Sequence, residues 1–343
     1  MSSQILTSGI AAIGDLTLRS GRVLPDVKIA YATTGTLNAA RDNVVLVTHG
    51  FTSSHLFIGR ASETASEGTW SGLVGPGRAI DTDRFFVVSS NMLGSSFGST
   101  SPSSINPSTG RPYGPDFPSI TGSDIIEAQR VMLAMWGITK LHAVVGPSYG
   151  GFQGLVWAIE QPDAMRGVSM SVSGIRPPKD TSPDDYRRRF AADPRWNGGH
   201  HYETGGIVET MVRLREETMQ LYGVDVLLAH KFPDPQERAL ETSRQALAWA
   251  KVTDPNSMIV LAEAMNGLDI ASRLHRIKAR VQYVLSRSDR LFPPSEAAGV
   301  LREFAEAGVQ AEYYEIDSDY GHHAAGTDSA KWQNELARFL QSL

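Results

Sequence analysis

The chain has 343 residues, 41% of them hydrophobic and 20% charged, so it can bury a full core and is long enough for one large domain with an insertion. Its formal net charge of -5, and a basic run at 187–189 that follows two aspartates, argue against a nucleic-acid partner. The absence of cysteine excludes disulfides and thiolate chemistry. No apolar run approaches the roughly 20 residues of a membrane span, and the N-terminus lacks a signal-peptide pattern, so we expect a cytoplasmic protein without membrane contact.

Strand patterns dominate the start of the chain. Alternation across 23–34 predicts two short strands at an antiparallel start of a sheet. The apolar runs at 43–48 and 83–90 are typical of strands buried on both faces of a parallel sheet. Residues 91–104 are rich in Gly, Ser and Pro but lie between core elements, so we expect a shaped loop rather than disorder.

A Gly-x-Ser-x-Gly motif stands at 146–150. Thr121 or Ser123 can cap a helix that ends at Gly137, and the apolar run 141–145 then predicts a parallel strand that leads into the motif. Helix-forming residues follow at 152–161. Strand, tight turn and helix in this order are the context of a nucleophile elbow, which makes Ser148 the candidate nucleophile. The alternative is that Ser148 only caps the helix.

The second half of the chain divides into an insertion and a return to α/β order. After a strand at 167–172, the region 175–270 shows no clear strand but four helical stretches, at 184–193, 207–222, 235–252 and 257–266. Strands at 281–286 and 311–316, each followed by a helix, then resume the pattern. We therefore predict an α/β fold with a mostly parallel central sheet flanked by helices. Its core is formed by residues 1–174 and 271–343, and residues 175–270 form a helical cap over the carboxyl ends of the strands.

Candidates for a catalytic triad follow from chain order. A serine hydroxyl needs a general base and an acid that orients the base, and in elbow folds the order is serine, acid, histidine. Asp289 follows the strand 281–286 and His322 follows the strand 311–316, so both lie at carboxyl ends of strands, where parallel sheets bind ligands. His323 is the rival base. Three further acids near the histidine lie on the wrong loop: Asp317, Asp319 and Asp328.

The strand 43–48 ends in His49, Gly50 and Phe51. Folds with a nucleophile elbow place the first half of an oxyanion hole at this point, so the backbone N–H groups of Phe51 and Tyr149 are the candidate donors, with Gly50 beside the substrate. The alternative is that His49 simply packs at the strand end.

The adjacent histidines His200 and His201 invite interpretation as a metal site. Neighbouring side chains diverge, however, and no acidic partner stands at ligand spacing. We therefore expect a solvated loop, no metal and no other cofactor.

With these residues placed, the sequence resembles the homoserine O-acetyltransferase family of the α/β-hydrolase superfamily. The similarity runs from about residue 27 to the C-terminus and is densest at 91–94 with 98–100, at 102–107 with 114–118, at 146–151 and at 193–199. It implies an α/β-hydrolase fold with a helical cap, an acyl-enzyme mechanism and often a homodimer formed through the cap. By motif position Ser148, Asp289 and His322 look like the family's triad, and Phe51 lines up with its oxyanion residue.

Departures from the family pattern bear on the substrate. Family members that act on homoserine usually carry an aspartate directly after the catalytic histidine, where this chain has His323. They also carry an arginine and, further along one cap helix, a tyrosine; an ungapped count places Gly206 and Arg213 at these positions. Losing two charge-assisted contacts would cost about 3 to 6 kcal/mol, which demotes homoserine as the acceptor.

These observations predict a cofactor-independent serine esterase that cleaves a short acyl ester, with acetyl implied by the family. The alternative is an O-acyltransferase that passes the acyl group from acyl-CoA to an alcohol acceptor, homoserine included. A binding protein that retains a dead hydrolase fold is the third possibility, and the intact Ser, Asp and His in the required order oppose it.

Overall fold

One eight-stranded sheet organises the molecule. The computed structural model describes residues 6–59, 69–178 and 182–343, and within them the sheet has the strand order β1-β2-β4-β3-β5-β6-β7-β8. The pairs β1–β2 and β2–β4 are antiparallel, and every other neighbouring pair is parallel. The predicted mostly parallel sheet is confirmed. Its strands are β1 Thr7–Thr17, β2 Val23–Thr34, β3 Val44–Thr48, β4 Phe86–Ser90, β5 Leu141–Pro147, β6 Met165–Ser171, β7 Arg280–Ser286 and β8 Ala311–Ile316.

Helices cover both faces of this sheet because its central strands are apolar on both. Val44 and Leu46 of β3 pack in one cluster with residues of α1, α2 and α8, whereas Val45 and Val47 pack in a second cluster with α10. The core helices are α1 Gly122–Met135, α2 Tyr149–Glu160, α8 Ala297–Glu306, the short α9 Ala324–Thr327 and α10 Gln333–Gln341.

The described part of the segment between β6 and β7 contains helices and no strand. Its helices are α3 Pro183–Ala191, α4 Val208–Leu221, α5 Val224–Lys231, α6 Pro235–Ala250 and α7 Pro255–Asn266. Two apolar clusters of its own hold this cap together, one around Phe190 and Trp249 and one around Met219 and Leu228. The second half of α7, from Val260 onward, packs instead with the main core, so this helix joins cap and core.

Two elements differ from the sequence expectation. Residues 23–34 form one strand rather than two, and it pairs with β1, whose glycines, alanines and register shifts hide any strand pattern. Helix α5 was not predicted, because it is short and follows Gly223, which supplies no capping side chain. Among the described residues, no helix combines the length and apolar character that a membrane crossing requires.

The loop 91–104 is ordered and largely buried, as predicted. The Thr100 N–H donates to the Lys28 carbonyl at 2.8 Å, and the Ala30 N–H donates to Ser99 Oγ at 3.1 Å. Ser96 Oγ accepts from the Asp254 N–H at 2.9 Å. The loop therefore extends the pairing of β2 and supports the start of α7.

Candidate active site

Ser148 lies in a tight turn between β5 and α2. Its φ of 53° and ψ of -122° fall in a region that non-glycine residues rarely adopt. A Cβ on Gly146 would stand 2.2 Å from Thr48 Oγ1, and a Cβ on Gly150 would stand 2.3 Å from the Thr48 carbonyl oxygen. Both positions therefore require glycine, and the turn has the geometry of a nucleophile elbow.

Hydrogen bonds on both sides hold the strained backbone of Ser148. Its N–H donates to the Ser171 carbonyl at 2.9 Å, and its carbonyl accepts from Ser173 Oγ at 2.8 Å. The Gly151 N–H donates to the same carbonyl at 2.9 Å. The surroundings thus fix a conformation that the residue would not adopt alone.

Asp289 and His322 are brought together from the ends of β7 and β8. His322 Nδ1 donates to Asp289 Oδ2 at 2.9 Å, and Asp289 Oδ1 accepts from the Leu291 N–H at 2.9 Å. Both residues are buried, with 3% of Asp289 and 8% of His322 exposed. Because Nδ1 carries the proton given to Asp289, Nε2 is the nitrogen that can accept one.

The rival residues of the sequence analysis lie elsewhere. His323 lines the cavity beside His322, but the bond to Asp289 belongs to His322. Asp317 and Asp319 form surface ion pairs with Arg287. Asp328 accepts from Ser318 Oγ at 2.6 Å. His322 is therefore the histidine that the structure joins to Asp289, and it lines one cavity with Ser148.

His49 holds the loop that follows β3. It is fully buried, and burial lowers its pKa to about 4, so its ring is neutral. Nδ1 donates to the Gly50 carbonyl at 2.9 Å, and Nε2 accepts from the Met92 N–H at 3.3 Å. In a trans peptide the carbonyl of Gly50 and the N–H of Phe51 point in opposite directions. His49 therefore fixes the direction of the Phe51 N–H, which is more than packing at a strand end.

The other predicted donor is the Tyr149 N–H. Tyr149 is the first residue of α2, and N–H groups of the first helical turn have no acceptor within their helix. A Cβ on Gly50 would stand 3.7 Å from Ser148 Cβ, so the loop after β3 runs close to the elbow.

A cavity opens at Ser148. Core and cap both contribute to its wall, and none of the lining residues that the structure describes is Asp, Glu, Lys or Arg. The lining comprises Ser148, His322 and His323 together with Gly50, Phe51, Thr52, Ser53, Phe57, Trp70, Pro147, Tyr222, Ala325 and Gly326.

Three contacts join the cap to the loop after β3. The Phe51 ring lies between Tyr149 of the core, 6.2 Å away, and Tyr186 of α3, 6.1 Å away. Trp249 Nε1 of α6 donates to the Thr52 carbonyl at 3.1 Å. The Tyr222 phenol shares a hydrogen bond with the Thr52 side chain, and burial raises the pKa of that phenol.

Arg215 and Tyr222 are functional candidates that the sequence analysis missed. Arg215 lies within α4, and Tyr222 follows the last residue of this helix, seven positions or about two turns later. The Tyr222 ring lies 5.0 Å from the His322 ring. The Arg215 guanidinium is fully buried and lies 4.9 Å from the Trp249 ring centre. An arginine followed by a tyrosine at this spacing was the signal that could have identified them.

The structure does not bring Gly206 or Arg213 into this cavity. Arg213 is exposed and donates to Thr210 Oγ1 at 2.9 Å, and Gly206 lies in a turn beside His201. Arg215 and Tyr222 each stand nine residues beyond the position that the ungapped count indicated. The register of that count therefore does not match the cavity.

His201 is not in a solvated loop. Only 5% of it is exposed, its Nε2 lies 3.3 Å from Asp254 Oδ1, and its ring stacks on Trp196 at 5.1 Å. Tyr202 donates to the other oxygen of Asp254 at 2.9 Å. The prediction of a solvated loop is wrong for His201, because its acidic partner comes from a distant part of the chain. The described residues contain no group of three or more His, Asp or Glu placed to hold a metal.

Comparisons with known proteins agree with this architecture. Residues 43–328 match the model of the α/β hydrolase fold family. A homoserine O-acetyltransferase from Symbiobacterium thermophilum is 36% identical over 96% of this chain and 92% of its own length. The solved structure of a homoserine O-acetyltransferase from Bacillus anthracis is similar with a TM-score of 0.86 at 27% identity, over 98% of both chains. Esterase E22 shares the fold with a TM-score of 0.86 at 24% identity, over 98% of this chain and 100% of that one.

Proposed function

Since the chain belongs to the homoserine O-acetyltransferase family of the α/β-hydrolase superfamily, we propose that it is a serine-dependent O-acyltransferase acting through an acyl-enzyme on Ser148. The prediction of an enzyme is confirmed by this membership. The donor that we propose is a short acyl-CoA or other acyl ester, and the acceptor is a small alcohol. The observation that carries the proposal is that one cavity joins Ser148 and His322 of the core to Tyr222 of the cap.

Acylation begins when Ser148 Oγ attacks the carbonyl carbon of the donor and His322 Nε2 takes its proton. Asp289 holds the imidazole through Nδ1 and stabilises its charged form. The N–H groups of Phe51 and Tyr149 stabilise the oxyanion, a contribution of about 3 kcal/mol for each donor in comparable enzymes. The tetrahedral intermediate then breaks its bond to the leaving thiol or alcohol, which departs with the proton from His322.

Deacylation repeats these steps with an acceptor alcohol in place of Ser148. His322 removes the proton from the acceptor hydroxyl, the new ester bond forms, and the proton passes to Ser148 Oγ as the acyl group leaves. Water can take the place of the alcohol, in which case the same acyl-enzyme is hydrolysed. Transferase and esterase therefore differ only in what occupies the acceptor side of the cavity.

Transfer is favoured over the esterase function that the sequence analysis predicted. That prediction relied on the loss of two contacts to homoserine. One was the aspartate that His323 replaces, and the other was the arginine and tyrosine whose positions the ungapped count assigned to Gly206 and Arg213. Tyr222 lines the cavity, and the charge of the buried Arg215 acts on Tyr222 and His323, so an arginine and a tyrosine are present on the cap side. Hydrolysis remains the second candidate because His323 stands where homoserine-specific relatives carry aspartate.

The cap also supports a proposed homodimer. Leu240 and Leu247 stand two turns apart on one face of α6, with 74% and 39% of their surfaces exposed. Apolar side chains exposed together on one face can form part of a contact surface. We place the dimer interface there, in agreement with the family resemblance.

Intact-protein mass spectrometry after brief mixing with p-nitrophenyl acetate tests the acyl-enzyme. We expect a gain of one acetyl group on the wild type and none on Ser148→Ala. Ser53→Ala is the matched control, because Ser53 lines the same cavity and its removal leaves the nucleophile in place. Equal labelling of wild type and Ser148→Ala would contradict the proposed nucleophile.

Product analysis tests transfer against hydrolysis. With acetyl-CoA and millimolar alcohol acceptors, we expect O-acetyl esters to exceed free acetate for at least one acceptor. Acetate as the sole product with every acceptor would favour the esterase.

A further inference from the structure

A groove follows one face of α4 across the cap. The residues of α4 that line it recur at intervals of three and four positions: Thr210, Arg213, Leu214, Glu217, Thr218 and Leu221. Tyr222, the residue after α4, continues the same spacing. Residues at this spacing share one face of a helix, and at 1.5 Å per residue the face extends about 18 Å from Tyr222 to Thr210.

Helix α3 supplies the opposite wall, and we call the feature the α3–α4 groove. The lining residues on this side show the same spacing: Ser182, Asp185, Tyr186 and Arg189. Arg189 and Glu217 line both the inner and the outer part of the groove. Tyr222 lines both its inner part and the cavity at Ser148. The groove is therefore an extension of that cavity along the cap.

The inner part of the groove, next to Tyr222, presents apolar surface between isolated polar groups. Leu214 and Leu221 of α4, Tyr186 of α3 and Leu291 of the loop after β7 contribute the apolar surface, and Thr218 adds a hydroxyl. A wall of this kind suits an extended chain without charge.

The outer part of the groove carries three arginines. Arg189 pairs with Glu217, and Arg195 pairs with Asp193. Arg213 enters no ion pair within the part of the chain that the structure describes, and its guanidinium donates to Thr210 Oγ1 at 2.9 Å. A guanidinium has five N–H donors in a fork that matches phosphate, so Arg213 keeps donors for an anion.

We infer that the α3–α4 groove holds the pantetheine arm and the phosphates of acyl-CoA. The acyl group lies at Ser148, the uncharged arm follows the apolar inner part, and the phosphates meet the arginines of the outer part. When the C–S bond breaks, the thiol takes the proton of His322 and leaves along the groove. This inference rests on the proposed acyl-enzyme and adds the site for the part of the donor that does not react.

Thioesters of decreasing length test the groove: acetyl-CoA, S-acetylpantetheine and S-acetyl-N-acetylcysteamine. The second lacks the phosphates, and the third also lacks most of the arm. The chain has no cysteine, so a thiol reagent detects only the thiol that the donor releases. We expect kcat/KM to fall about tenfold to a hundredfold from acetyl-CoA to S-acetylpantetheine, the range for one charge-assisted contact, and further for the shortest donor.

A bulky side chain in the inner part of the groove should obstruct the arm. For Thr218→Trp we expect the ratio of kcat/KM for acetyl-CoA to that for p-nitrophenyl acetate, which has no arm, to fall by about tenfold or more. Gln220→Trp is the matched control, because Gln220 is exposed on α4 but lies outside the groove, and its ratio should equal that of the wild type.

A charge variant tests the outer part. Arg213→Gln should lower the ratio of kcat/KM for acetyl-CoA to that for S-acetylpantetheine by about tenfold, because only acetyl-CoA carries phosphates. Arg166→Gln removes the same charge from an exposed position on β6, far along the chain from the cap helices, and should keep the ratio of the wild type.

The outcomes distinguish this inference from the proposed function. If the wild type uses S-acetyl-N-acetylcysteamine as efficiently as acetyl-CoA, or if Thr218→Trp and Arg213→Gln behave like their controls, the inference is overturned while the acyl-enzyme stands. If no ester or thioester acylates Ser148, the proposed function is overturned and the donor site with it.

Discussion

The two walls of the cavity at Ser148 are built on different principles. On the core wall, Ser148, Asp289 and His322 stand at the ends of β5, β7 and β8, where backbone geometry places them. On the cap wall, Tyr222 is placed by the packing of helices against the loop after β3, which Trp249 also contacts through its hydrogen bond to the Thr52 carbonyl. In the function that we propose, the core wall carries the bond-making groups and the cap wall decides which acceptor meets them. The proposed chemistry is then set locally, whereas acceptor choice depends on long-range packing.

The largest effect should come from breaking the core wall at Asp289. Asp289→Asn keeps the shape but removes the charge that holds His322 in the tautomer with Nε2 free, so we expect kcat for p-nitrophenyl acetate to fall by about 10⁴-fold. Stopped-flow or steady-state release of p-nitrophenol measures it. Asp319→Asn is the matched control, because Asp319 pairs with Arg287 at the surface and should leave kcat unchanged. Similar losses in both variants would show that Asp289 does not orient the base.

The core wall was predictable because its constraints lie in short stretches of sequence. Gly146 and Gly150 are required by the Thr48 backbone and side chain that cross the elbow, and this produces a recognisable motif around Ser148. Asp289 and His322 followed from the rule that ligands bind at the carboxyl ends of parallel strands.

The cap wall could not be predicted to the same depth. Helices α4 and α6 were found, but amphipathic patterns do not fix which residue of a helix faces a distant loop. The count that selected Gly206 and Arg213 had no packing information to correct it, and Arg215 and Tyr222 were missed. The pairing of His201 with Asp254 was missed for the same reason, because these residues are far apart in the sequence.

A second effect concerns the response of the core behind this wall to acid. Burial lowers the pKa of His49 and of His55 to about 4, against 6.5 for an unperturbed histidine. Between pH 6.5 and 4 these histidines take up protons in the unfolded chain but not in the folded chain. Their contribution to the free energy of unfolding is therefore fully present above pH 6.5 and is lost as the pH falls toward 4. For each histidine we expect a loss of about 2 kcal/mol between pH 7 and pH 5.

Urea titrations at pH 7 and pH 5 measure this loss. His55→Gln should reduce it by about 2 kcal/mol, because glutamine stays neutral in both states. His200→Gln is the control in the cap, where His200 is exposed, and the loss should equal that of the wild type. An unchanged pH response in His55→Gln would remove this histidine as a source of acid sensitivity in the core.

The smallest effect should appear where the two walls meet, at the hydrogen bond from Trp249 Nε1 to the Thr52 carbonyl. Trp249→Phe removes the donor but keeps an aromatic ring under Arg215, so the cap still packs while its hold on the loop after β3 weakens. A hydrogen bond of this kind contributes about 1 to 1.5 kcal/mol, and we expect kcat to fall about tenfold with little change in the KM for p-nitrophenyl acetate. Trp196→Phe is the matched control, because Trp196 belongs to the same cap cluster but contacts Phe190 and His201 rather than the loop. A similar fall in kcat for both variants, or a rise in KM alone, would mean that the cap covers the cavity but does not position the Phe51 N–H. A fall confined to Trp249→Phe would show that the cap positions the Phe51 N–H and that the two walls act together on the oxyanion.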